Sequence, residues 1–172
     1  MNPAPPAHIV FLHIHVDSIL LWGFAATVIV TTIMYASQAL GFSRMSFPLM
    51  LGTIFTANRD RAQIVGFVWH FIAGWILAFV YAMIFESLRR VSWWLGMGMG
   101  LIQGIFVLAV VMLVLPYAHP RMATEYSGPD HLHLLEPPGF LALNYGRRTP
   151  FFAMIAHAAY GTVLGAFYQL VG

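Results

Sequence analysis

GFVWHFIAGWILAFVYAMIFE, residues 66–86, is apolar on every side of a helix apart from His70 and a carboxylate, Glu86, at its end. A run of this length and polarity suits a hydrocarbon core of roughly 30 Å. The stretch recurs in weakened form: sliding the chain by 157 − 70 = 87 positions lays His70 on His157, Gly74 on Gly161, Leu77 on Leu164 and Tyr81 on Tyr168. Ala78 then meets Gly165, and Gly66 meets Ala153. The offset is about half the chain and predicts a duplicated two-helix unit, with an approximate two-fold axis relating spans one and two to spans three and four. Each copy sets a histidine and two small residues at steps of four, one helical face. A histidine inside a long apolar helix is costly and calls for a partner.

The composition agrees. Of 172 residues, 60% are hydrophobic and 8% charged, outside the range of ordinary soluble domains. All eight basic residues are arginines, and they are scattered, so no basic stripe follows a nucleic-acid backbone; nucleic acid is set aside as a partner. Cysteine is absent, which removes disulfides, thiolate clusters and cysteine-attached haem. The proline-rich start MNPAPPAHIV lacks a basic n-region, so the first span is expected to be retained rather than cleaved.

Four spans are predicted, at about 18–40, 62–88, 92–115 and 150–171, giving an all-α, four-helix integral membrane bundle in one domain. Asp17 and Ser18 cap the first, and Gly23, Thr27 and Thr31 form a small-residue ridge along it. In the connector 41–61, Ser46-Phe47-Pro48 opens a helix too short to span, interfacial or re-entrant. Asn58 and Asp60 suit the start of the second span, and Glu86 near its end is spaced to pair with Arg89 or Arg90. Trp93 and Trp94 open the third span at an interface. Its GMGMG is no nucleotide loop, because no strand precedes it; Gly96, Gly100 and Gly104 instead share one face where a neighbouring helix approaches closely. Residues 116–149 form one long polar loop with five prolines and three glycines. Thr149 as cap and Pro150 in the first turn begin the fourth span.

Arginine counts set orientation. The connectors 41–61 and 116–149 hold Arg44, Arg59, Arg61, Arg121, Arg147 and Arg148, against Arg89 and Arg90 on the other side. The six-arginine side is expected to be cytoplasmic, with both termini outside.

The segments GFAATVIVTTIM, PLMLGTIFTANRDRA, the His-x-x-x-Gly-Trp helix, HPRMATE, LEPPGFLALNYGRRTP and AHAAYGTVLGAFY together resemble a family of small bacterial membrane proteins defined only as a domain of unknown function. The resemblance covers most of the chain after about residue 20, and LEPPGFLALNYGRRTP is its most specific part. It implies a four-helix fold in the bacterial inner membrane and no particular activity. The N-terminal histidines lie outside the pattern.

For His70 and His157 the sharp reading is a bis-histidine b-type haem, one axial ligand from each helix, with Gly74 and Gly161 facing inward to leave a porphyrin slot. The plainer and preferred reading is that both hydrogen-bond to Thr, Tyr or Gln103 across packed helices. His13-x-His15-x-Asp17, if extended, and His131-x-His133 with Glu136 are weak metal candidates; copper or zinc is the metal such ligands suit, and solvated histidines are the favoured reading. Glu125, Asp130 and Glu136 share the loop with Arg121, Arg147 and Arg148 and are expected to form loop-internal ion pairs, since no nucleophile accompanies them. No carboxylate or proline breaks a span away from its ends, which disfavours an ion-coupled transporter and leaves a passive pore open. The leading expectation is a non-catalytic membrane protein, an accessory or assembly subunit with membrane-protein partners; haem-linked electron transfer and a small passive transporter or pore are the alternatives.

Overall fold

The computed structural model describes residues 14–125 and 134–170. Helix α1 (Val16–Ala39) leads through a short connector to α2 (Phe47–Thr53) and the long α3 (Arg59–Leu88). The third long element is α4 (Trp93–Phe106), a π-helical segment Val107–Val111 and α5 (Met112–Ala118), which run on without a break. A 3₁₀ segment, Phe140–Tyr145, precedes α6 (Thr149–Phe167). Four continuous helices, 16–39, 59–88, 93–118 and 149–167, are long and apolar enough to cross a membrane, with mean hydropathies of 1.9, 1.9, 2.5 and 1.3. Only 22–33% of each is buried. A soluble bundle hides one apolar stripe per helix; these are apolar all round and leave most of that surface uncovered.

The boundaries follow local chemistry. The Ser46 side chain accepts from Leu49 N at the start of α2, the Asn58 side chain from Arg61 N at the start of α3, and the Ser92 side chain from Leu95 N at the start of α4. Arg89, with φ 49°, closes α3 in the left-handed region. Several boundaries differ from expectation. Asp17 and Ser18 lie inside α1, which begins at Val16 after His15 with no side-chain cap, and α6 stops at Phe167, short of 171, where Tyr168 turns extended. Arg148 rather than Thr149 holds the cap position of α6, because the Thr149 hydroxyl is spent on Ser43 Oγ at 2.9 Å. The third span continues past Pro116 to Ala118, since the extra residue of the π segment already loosens the backbone ladder ahead of the proline.

Glycines set the closest approaches. A Cβ on Gly96 would lie 2.0 Å from Gly161 O, and one on Gly100 2.1 Å from His157 O, so α4 and α6 pack backbone to backbone. Thr27 of α1 fills the notch of Gly74 on α3, and the Gly66 notch receives the Pro48 carbonyl of α2. The small-residue ridges of spans one and three therefore do the packing expected of them.

The expected two-fold axis is not kept by this packing. Exchanging α1 with α4 and α3 with α6 would turn the broad α1–α6 contact into an equal α3–α4 contact, yet α3 barely meets α4. What joins these two helices is a hydrogen bond, Tyr81 Oη donating to Gln103 Oε1 at 2.8 Å.

At the arginine-rich end, α2 wedges beside α3 and is held by the end of α5. His119 Nε2 meets Met50 O at 2.9 Å, and Arg121 Nη1 donates to the Thr53 and Ile54 carbonyls at 2.8 and 3.0 Å. Arg44 grips Glu136 bidentately at 2.9 and 3.1 Å and also donates to Asn144 O. The carboxylate was expected to pair within its own loop; it reaches the preceding connector instead. Arg148 lies 4.7 Å over the Phe42 ring. At the other end, Tyr168 Oη donates to Glu86 Oε1 at 2.9 Å, joining α3 to the end of α6.

Candidate functional site

The four long helices and α2 surround a cavity of about 140 Å³, with both His70 and His157 in its wall. That is close to the volume of an engineered cavity of about 150 Å³ that takes up benzene. Thr31, Gly74, Gln103 and Tyr160 line it, and its wall continues along α1 through Met34 to Gln38, with Met45 of the connector. Val107, where the π segment begins, is also in the wall. No Asp, Glu or Arg lines it among the described residues.

The hydrogen bonds fix how each histidine is turned. Thr31 Oγ1 donates its single proton to Thr27 O at 2.7 Å, so toward His70 Nε2, at 3.1 Å, it is an acceptor. His70 therefore carries its proton on Nε2, and in the neutral ring Nδ1 is a bare acceptor. His157 Nδ1 lies 2.7 Å from Ala153 O, a carbonyl that only accepts, so this nitrogen holds the proton and Nε2 is bare. Gln103 receives Tyr81 on its oxygen, leaving its amide NH₂ to donate. Ser18 Oγ is the one buried side-chain nitrogen or oxygen without a partner among the described residues. The bare histidine nitrogens and the Gln103 amide are thus not sealed in packed core, and all three residues line the cavity. Tyr160 Oη donates to Gly74 O and pins α6 to α3.

This arrangement agrees with the plainer reading for His70, which bonds Thr31 across the bundle; His157 bonds its own helix. It does not fit haem. The notches of Gly74 and Gly161, the expected porphyrin slot, are filled by Thr27 Oγ1 and Gly96 O, each 2.0 Å from a built Cβ. His70 Nε2 is engaged by Thr31, and a benzene-sized space has no room for a tetrapyrrole. His70 and His157 come together, but as walls of a small cavity.

Of the metal candidates, His13, His131 and His133 lie outside the described residues. His15 precedes α1 with its Nδ1 3.8 Å from Asp17 Oδ1, a pair too sparse for a metal site. No group of three metal-binding His, Asp or Glu side chains occurs among the described residues. Near the loop, burial and then the Glu136 charge push the Tyr145 phenol above its ordinary range, with Arg44 pulling the other way. It stays protonated and donates to Glu136 O.

Three contributors were not singled out from sequence: Thr31 as the group that fixes the His70 tautomer, Tyr160, and His119. Thr31 had a signal, since it lies on the ridge with Gly23 and Thr27; His119 had none beyond its place in HPRMATE. No family model, curated protein or solved structure matches the chain.

Proposed function

We propose that this chain is a non-catalytic integral membrane protein of four spans that holds a small ligand in the middle of its bundle. The observation that carries the proposal is a cavity lined by two part-buried histidines, each with a ring nitrogen that no protein group engages. Polar groups within spans are expensive and are kept where they meet a ligand or a partner. A non-catalytic role is supported by the wall chemistry, in which the Thr31 hydroxyl beside His70 gives its proton to Thr27 O and not to the imidazole.

The membrane placement rests on the four uncovered apolar helices. The arginine-rich end, gathered around Arg44, Arg121 and Arg148, faces the cytoplasm, which leaves the Arg89–Arg90 turn outside. The resemblance carried by LEPPGFLALNYGRRTP supports a bacterial inner membrane. Because the chain lacks cysteine, Ala57→Cys and Leu88→Cys report on opposite ends: an impermeant thiol reagent on intact cells labels Leu88→Cys and spares Ala57→Cys. The reverse pattern overturns the orientation.

The ligand site is tested with toluene on protein in lipid nanodiscs. Occupancy at a hundredfold excess over Kd adds about 2.7 kcal/mol of stability, read as a raised melting temperature. Ala73→Leu, which fills the wall, abolishes the shift. A native protein indifferent to toluene, or a shift that survives Ala73→Leu, defeats the proposal.

A further inference from the structure

The cavity's polar atoms specify more than size. Both histidines line the cavity and spend their N–H within the protein, on Thr31 Oγ1 and Ala153 O, so each keeps a ring nitrogen that can only accept. Gln103 is the reverse, with its oxygen taken by Tyr81 and its amide N–H groups left to donate. A ligand that satisfies His157 and Gln103 together must both donate and accept at one end, while the rest of it meets apolar wall. A pure acceptor such as an ether or ketone leaves His157 Nε2 facing apolar atoms; a pure hydrocarbon satisfies neither group. The wall around them is aromatic and thioether, Phe47 and Tyr160 with Met34 and Met45, surfaces that suit an aromatic ring. The volume, about 140 Å³, is that of one ring.

We infer that the site takes a phenolic ring, its hydroxyl donating to His157 Nε2 and accepting from the Gln103 amide. This rests on reading the cavity as a ligand site. Two sources share the chemistry: a free phenol, and the head of a lipid-borne hydroquinone.

The test compares phenol, anisole and toluene by calorimetry on the native protein in nanodiscs. Anisole keeps the ring and the oxygen but has no proton to give. Phenol is expected to bind roughly tenfold or more tightly than anisole, the worth of one hydrogen bond to an otherwise unpaired buried acceptor. His157→Leu should erase that preference and leave toluene binding in place; the native-protein comparison stands without it if the variant does not fold. Equal binding of phenol and anisole overturns the inference and spares the site. Binding of none of the three overturns both. A hydroquinone carrying a decyl chain, added as a fourth arm, identifies the source. Binding tighter than that of tailless hydroquinone assigns the lipid-borne form, and weaker binding assigns the free phenol.

Discussion

Gly96, Gly98 and Gly100 lie within five residues of one helix, and the same substitution at each is expected to change stability in opposite directions. Alanine in place of glycine gains about 1 kcal/mol of helix propensity. At Gly98 nothing lies within 4 Å of the new Cβ, so Gly98→Ala keeps the gain. At Gly96 the Cβ would sit 2.0 Å from Gly161 O and 2.9 Å from Gly165 Cα, both backbone atoms that no rotamer change moves. Ordinary contact begins at 3.4 Å, so α4 and α6 must part by about 3.4 − 2.0 = 1.4 Å. A gap of about 1 Å forfeits up to half of each dispersion contact along the seam, and overpacking of this kind costs about 1–3 kcal/mol. Gly96→Ala, and Gly100→Ala with its 2.1 Å approach to His157 O, should each end up to about 2 kcal/mol less stable than native once the propensity gain is set against the overpacking. Gly98→Ala should end up to about 1 kcal/mol more stable. Denaturant titration in mild detergent, followed by helical circular dichroism, measures all three. If Gly96→Ala proves as stable as Gly98→Ala, the backbone-to-backbone packing of α4 on α6 is wrong.

Other substitutions probe the arginine-rich end. Glu136→Gln removes the bidentate Arg44 pair; with side-chain exposures of 64% and 22% the loss is about 1 kcal/mol, shrinking in high salt, and a salt-independent loss speaks against it. His119→Leu strips Arg121 N–H and the Met50 carbonyl of a buried partner and should cost about 2–3 kcal/mol, measured by the same titration; a neutral result would mean that α2 is not held there. Asn58→Ala removes the cap of α3 and should cost about 1 kcal/mol, with no change in ligand shift because it is remote from the cavity wall.

The spans were legible because each is a long apolar run, and Ser46 and Asn58, at the starts of α2 and α3, are local signals that tertiary context did not overrule. The glycine ridges were legible for the same reason, since spacing on one helix fixes which face is small. What the sequence left hidden were relations between helices. The match of His70 to His157 suggested symmetry, but register between helices is set by which notch fills: Thr27 enters that of Gly74, whereas Gly161 meets another glycine. That difference removed both the two-fold axis and the porphyrin slot. Likewise the two histidines could be placed on inward faces, while their protonated nitrogens depended on Thr31 and Ala153, whose roles follow from a hydrogen-bond chain no spacing rule contains.

The clasp at the arginine-rich end also has a bearing on time. Its two halves are made far apart in synthesis: Met50 is 69 residues from His119, Arg44 is 92 from Glu136, and Ser43 is 106 from Thr149. At ribosomal speeds of about 5–20 residues per second, Ser43 waits roughly 5–20 s for its partner. Until His119 and Arg121 emerge, α2 has only α3 to lean on, through the Gly52–Ala62 and Gly66–Pro48 contacts. A chain stalled or truncated before residue 149 leaves this corner open, and there it offers quality-control proteases a hold.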